Sequence, residues 1–254
     1  MSNKFRIYST KSNTIASGVY KLFNSGQNSV TDLWYGGGGT DSALEKRNSI
    51  SRFMIKFDLT DFQEKLQNKE INQNLVTGYR LKMKNAIPKD KILEPEYEFD
   101  VLNKYIAASF DLICYPINKD WDEGRGYDLF KENYLVRQTG NPLITGYSNW
   151  EYATTTTTWD EPGIYTNPTA ATAVTVYSYQ HFDIGNEDID MDITPIVCSW
   201  LTGGSQNYGL AVGFSREFEL ISGDSRFVAS FFTQHTNTAY KPYIEVTYDQ
   251  TFKD

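Results

Sequence analysis

The chain is poor in cysteine, in histidine and in clustered positive charge, and no apolar run approaches membrane-spanning length. Two cysteines, Cys114 and Cys198, stand in 254 residues. That is no disulfide framework, and their largely apolar flanks predict buried free thiols. The two histidines, His181 and His235, lack metal-ligand spacing and give little material for a Ser–His–Asp order. Uninterrupted apolar stretches are too short to span a bilayer. Lys and Arg number 24 against 32 Asp and Glu, a net charge of -8. Without a basic cluster to neutralise phosphates, nucleic acid is excluded as a direct ligand. The first ten residues carry neither an apolar core nor a small-residue cleavage site, so no secretory signal is read there. The expectation is a protein made in the cytosol that stays there unless it leaves within a particle or after lysis.

What the chain does have is aromatic side chains, 15% of it, with 18 Tyr and 15 Phe. These suit pleated, half-buried surfaces and, for Tyr, interfaces. Alternation with period two recurs along the chain. It places Phe53, Ile55 and Phe57 on one face of 51–58, with Arg52, Lys56 and Asp58 opposite. It also predicts strands at 79–84, 98–102, 110–115, 208–214, 226–232 and 241–248. Two short helices interrupt: one capped by Thr60 with Gln63 at the capping-box position, one capped by Thr194 with Pro195 first and Gly203–Gly204 last. The prediction is one all-β domain over 1–254, its core at about 25–250. A long Thr/Tyr-rich loop insertion occupies about 139–190, with a strand near 173–179.

Each candidate site has a bland counterpart. Asp122 and Glu123, beside Gly124 and Gly126, have the makings of a paired-carboxylate glycosidase site; such residues also form ordinary turns. The acidic run Glu187, Asp188, Asp190 is a candidate Ca²⁺ site through oxygens, or a solvated acidic edge before the helix at Thr194. Gly36 to Gly39 lacks the residues of a phosphate loop and reads as a hairpin end. Trp150, Tyr152, Trp159 and Tyr165 are the candidate contact residues, for a glycan or for neighbouring subunits; the tryptophans also suit a loop core. No catalytic set and no cofactor is expected beyond the Ca²⁺ candidate.

Five blocks in order resemble the DNRLRE-type domain, a jelly-roll β-sandwich related to carbohydrate-binding modules. They are Ser51–Leu59 (an arginine, then an apolar strand ending Phe-Asp-Leu); the turn Trp121-Asp122-Glu123-Gly124; the tryptophan pair Trp150 and Trp159 ahead of Gly163; Asp192-Ile193-Thr194 with Trp200 and Asn207-Tyr208-Gly209-Leu210; and the closing Lys241-Pro242-Tyr243-Ile244-Glu245-Val246-Thr247-Tyr248. The likeness runs from about Ser25 to Tyr248. It departs in having Lys241 where arginine is usual and in the long loop region. It implies a jelly-roll sandwich with two short helices. It also implies a non-enzymatic role in a tailed-bacteriophage virion, in the neck, head–tail connector or tail, assembled in the host cytoplasm. The partners would be copies of itself in a ring-like oligomer and other virion proteins. The alternative it implies is a glycan-binding module or adhesin using the aromatic loops. No membrane partner is expected.

Overall fold

The structure, a computed structural model, describes residues 2–36, 50–86, 109–127, 147–164, 177–219 and 226–249. Ten strands and three helices lie in these segments. The strands are β1 (Ser2–Ala16), β2 (Val30–Gly36), β3 (Ser51–Phe57), β4 (Val76–Met83), β5 (Phe110–Pro116), β6 (Ser178–Phe182), β7 (Ile189–Asp192), β8 (Leu210–Phe214), β9 (Arg226–Phe232) and β10 (Tyr243–Asp249). The helices are α1 (Thr60–Gln67), α2 (Thr194–Leu201) and α3 (Arg216–Glu219). The predicted strand at 98–102, Gly37 to Gly39, Tyr165 and the start of the strand near 173–179 lie outside the described residues.

Eight strands form one antiparallel sheet in the order β6-β5-β8-β3-β1-β10-β4-β7, and β2 pairs with β9. The all-β class is therefore met. β1 holds the sheet together. Its first half, Ser2 to Tyr8, pairs with β10, and its second half pairs with β3. The packed core accordingly takes in residues ahead of position 25. Ile7 and Ile15 alternate with polar neighbours too sparsely to mark this strand in the sequence, yet both are buried. The sheet curls until its two ends meet. The Gln180 side chain on β6 donates to the Asp188 carbonyl at 2.9 Å and accepts from the Asp190 amide at 2.7 Å. An amide side chain thus does at this seam what a ladder does elsewhere, and the result approaches a barrel.

The period-two face of β3 is inside as predicted. Phe53, Ile55 and Phe57 join Leu81, Leu112, Val212, Phe214, Phe231, Ile244 and Val246 in the main core. Each such side chain contributes about 1.5–3 kcal/mol by leaving water. α1 adds Phe62 and α2 adds Ile196, Val197 and Trp200 to the same core. Both helices begin one residue earlier than predicted, on a shared device. Thr60 and Thr194 are the first helical residues rather than caps. The aspartate two positions before each accepts its backbone N–H, Asp58 from Thr60 and Asp192 from Thr194, both at 2.9 Å. Thr194 is then free to accept the Tyr79 amide at 2.9 Å, tying α2 to β4.

The cysteines divide. Cys114 is buried in the core, where desolvation pushes its thiol pKa far up and keeps it protonated. Cys198 is exposed on the outer side of α2, contrary to the expectation from its apolar flanks. The helical period turns it away from the face that carries Ile196, Val197 and Trp200.

Candidate functional site

Alternation alone would leave the outer side of β3, with Arg52, Met54 and Lys56, to water. Instead the segment 147–164 lies across it and builds a second core of Ile15, Met54, Ile117, Trp121, Trp159 and neighbours. A polar knot pins this segment. Asn13, 1% exposed, donates to the Ser148 carbonyl at 2.8 Å and accepts the Ser25 amide at 2.8 Å. Asn24 donates to the carbonyls of Glu123 and Ser148 and accepts the Gly126 amide. Trp159 is 4% exposed and its indole N–H donates to the Asn149 carbonyl at 2.8 Å. It therefore has no free ring face for a sugar or a partner. Trp150 is half-buried, with the Arg52 guanidinium 4.9 Å from its ring centre. Of the predicted contact residues that are described, Tyr152 alone is exposed.

Arg52 is the largest surprise of this face. The alternating pattern puts it opposite the main core, where a charged residue should be solvated; it is 5% exposed. Its guanidinium donates twice to Glu219 on α3, at 3.0 and 2.6 Å, and once to the Gly163 carbonyl at 2.6 Å. Its stem crosses Gly213 of β8, where a Cβ would come within 2.9 Å of Arg52 Cγ. At Gly163 (φ +79°) a Cβ would fall 2.5 Å from the Trp150 ring and 2.7 Å from Arg52 Nη1. Two glycines thus make room for one buried, fully paired cation.

Asp122 and Glu123 do not act together. Asp122 is exposed, and Glu123 Oε1 turns inward to accept the Ser12 amide at 2.8 Å, His235 Nε2 at 2.9 Å and the Gln234 amide. Such a carboxylate braces a turn against β1 and the segment after β9. The acidic run is likewise dispersed. Glu187 accepts the amides of Asp183 and Ile184, Asp188 takes the Asn85 amide and Lys84, and Asp190 takes Arg80 and Lys82. Among the described residues no three His, Cys, Asp or Glu side chains converge as a metal ion requires.

One constellation was not legible in the sequence. β5 and β6 pair so that Asp111 faces His181. His181 Nδ1 lies 2.7 Å from Asp111 Oδ1 and Nε2 lies 3.0 Å from Ser109 Oγ. The hydrogen bond to Asp111 raises the imidazole pKa above its ordinary value. The connectivity is that of a nucleophile, a base and an orienting acid. The environment differs from that of a catalytic set. The His181 and Asp111 side chains are 53% and 47% exposed, and Asp183 Oδ1 competes for Nε2 at 3.4 Å. Water screens such a pair and competes for the hydroxyl. The signal that pairs them is strand register across 70 residues, which no local pattern carries.

The described surface also has an aromatic character. Of eight large hydrophobic residues that stand exposed, six are tyrosines: Tyr8, Tyr127, Tyr152, Tyr177, Tyr179 and Tyr240. Tyr179 shares the outer face of β6 with His181, and Tyr177 stands exposed just ahead of the strand. No helix among the described residues is long and apolar enough to cross a membrane. Compared with known proteins, the chain matches no family model and no curated sequence.

Proposed function

We propose that this protein is a structural subunit of a tailed-bacteriophage particle, of the neck, connector or tail, working through contacts with copies of itself and with other virion proteins. A jelly-roll sandwich is part of this reading, as is a location in the virion. The observation that carries it is the tyrosine share of the exposed large hydrophobic residues, six of eight among those described. A subunit must stay soluble before it assembles and bury area afterwards. Tyrosine serves both states, with an apolar ring and a hydroxyl that keeps its water or finds a partner. The resemblance to DNRLRE-type domains supplies the kind of particle; by itself fold likeness names no function. The absence of an enzyme activity belongs to the same proposal. It is checked by ester hydrolysis with the Ser109→Ala variant as control, and turnover that this variant abolishes overturns it. The main test is mass spectrometry of purified particles. Peptides of this chain are expected at structural-protein abundance, and their absence from particles contradicts the proposal.

A second reading, glycan binding, moves from the tryptophans to the row Tyr8–Tyr243. The two rings lie 5.8 Å apart, with the Arg6 guanidinium 4.7 Å from the Tyr243 ring centre. A glycan array with a Tyr243→Ala control separates it from the first.

A further inference from the structure

The register of β1 against β3 breaks once. Ser9 faces Phe57 and Lys11 faces Lys56, so Thr10 is the extra residue of a β-bulge. The bulge sets two lysines directly opposite one another. Like charges in that position destabilise a sheet, and bulges gather where a strand re-aims a side chain for function. The pair is also poorly compensated. One carboxylate oxygen, Asp120 Oδ1, serves both ammoniums at 3.4 and 3.5 Å, and the Asp120 side chain is 64% exposed. The lysine side chains are only 22% and 27% exposed. Lys11 also donates to the Trp121 carbonyl, with its ammonium 4.5 Å from the Trp121 ring centre. Burial lowers the Lys11 pKa and Lys56 adds to the effect, against the opposing pull of Asp120 and Asp122. In a chain of net charge -8, two cations have been brought together with one loosely held anion between them.

Both lysines line a cleft of about 780 Å³ between the bulge, the end of β3, α1 and the turn after α2. That volume falls within the range of about 300–1,000 Å³ typical of small-molecule sites. Beside the cations its wall carries the neutral side chains of Gln63, Ser205 and Gln206 and one carboxylate, Asp58, which is taken up by the backbone N–H and hydroxyl of Thr60. Trp200 closes another side. Its indole N–H is buried and has no hydrogen-bond partner, whereas those of Trp121 and Trp159 donate to carbonyls. Such a group in a native fold asks for an explanation.

We propose that this cleft binds a phosphorylated sugar or polyol, with its phosphate between Lys11 and Lys56 in the place now taken by the Asp120 carboxylate. Two ammoniums without an arginine fork favour a tetrahedral, multiply charged phosphate over a planar carboxylate. The amides and hydroxyl along the wall suit the hydroxyl groups of the same ligand. This site is independent of the tyrosine surface, so either can fail without the other.

Calorimetric titration tests it, with glucose 6-phosphate, glucose and glucuronate as probes on the full chain. Glucose 6-phosphate is expected to bind and glucose is not. Lys56→Gln is expected to weaken binding by about tenfold or more, roughly 1.4 kcal/mol, while its Tm stays level or rises because the like-charge pair is gone. Asp120→Asn, which removes the internal competitor, is expected to tighten binding several-fold. Glycerophosphoglycerol, a phosphodiester with a single charge, is expected to bind more weakly than glucose 6-phosphate; tighter binding of the diester overturns the choice of a multiply charged phosphate. No binding of either phosphate compound to the unaltered chain overturns the proposal. So does binding that Lys56→Gln leaves unchanged, and glucuronate binding as tightly as glucose 6-phosphate overturns the choice of phosphate.

Discussion

On the outer face of β1, β10, β4 and β7, charge stands in rows. Arg6, Glu245 and Arg80 face one another across the strands and lead to Asp192; Tyr8, Tyr243 and Lys82 lead to Asp190. Lys82 pairs with Asp190 at 2.6 Å and Lys4 with Glu245 at 2.9 Å. Where the aromatic segment, pinned by Asn13 and Asn24, covers the outer side of β3 and β8, the charge beneath it is one buried pair, Arg52 with Glu219. The first face settles its polar groups with each other and, apart from the buried Glu245, with water, so its exposed pairs matter little. The second has excluded water, so every polar group there must be matched. The difference teaches where this fold is brittle. It also explains why the surface for partners is sought among the tyrosines rather than under the loop.

The largest expected effect follows from that brittleness. Arg52→Met strands the Glu219 carboxylate, and Glu219→Gln strands the guanidinium; either is expected to cost about 3–5 kcal/mol. The double variant Arg52→Met/Glu219→Leu should recover much of the loss. Urea unfolding of the three variants measures it, and single variants costing no more than a surface pair would erase the contrast. Asn13→Ala leaves the Ser25 amide and the Ser148 hydroxyl and carbonyl without this partner. It is expected to cost about 1–3 kcal/mol in the same assay. On the charged face, Asp190→Asn is expected to cost no more than about 1 kcal/mol and to lose its effect in high salt. A salt-independent cost of several kcal/mol there would make the two faces alike.

The smallest effects are in pH. His181 has its pKa raised by the hydrogen bond to Asp111. The stability it adds is present below the ordinary imidazole pKa and is lost as pH rises through the raised one. An NMR titration of the ring should give a midpoint above that of an unperturbed histidine, returning toward it in Asp111→Asn. The capping aspartates run the other way. Hydrogen bonds from Thr60 and Thr194 hold Asp58 and Asp192 below the usual carboxyl range. Their contribution stands above the unfolded pKa and falls away as pH drops through the lowered one.

Much of the fold was legible because alternation is local. The inward face of β3, the strands predicted at 79–84, 110–115, 208–214, 226–232 and 241–248, and both short helices follow from neighbouring residues. β1 was not legible. Its second half is polar in sequence, and from Ser12 to Ala16 it is buried because the 147–164 segment and the sheet cover both of its sides. The burial of Arg52 and Met54 was not legible for the same reason: nothing near them in sequence announces a cover from a hundred residues away. The candidate sites divide similarly. The burial of Trp159 agrees with the apolar area that the loop offered. The meetings of Ser109 with His181, of Glu123 with His235 and of Lys11 with Lys56 depend on register, and register across long connections leaves no local trace.

The most direct test of a protein that acts through its surface is its mass in solution. Light scattering of the full chain is compared with a Tyr177→Ser/Tyr179→Ser variant over a range of concentrations. The account predicts a mass above the 29.1 kDa of one chain, rising with concentration and falling back toward a single chain in the variant. A single-chain mass at every concentration, with the variant indistinguishable from the unaltered protein, would contradict it.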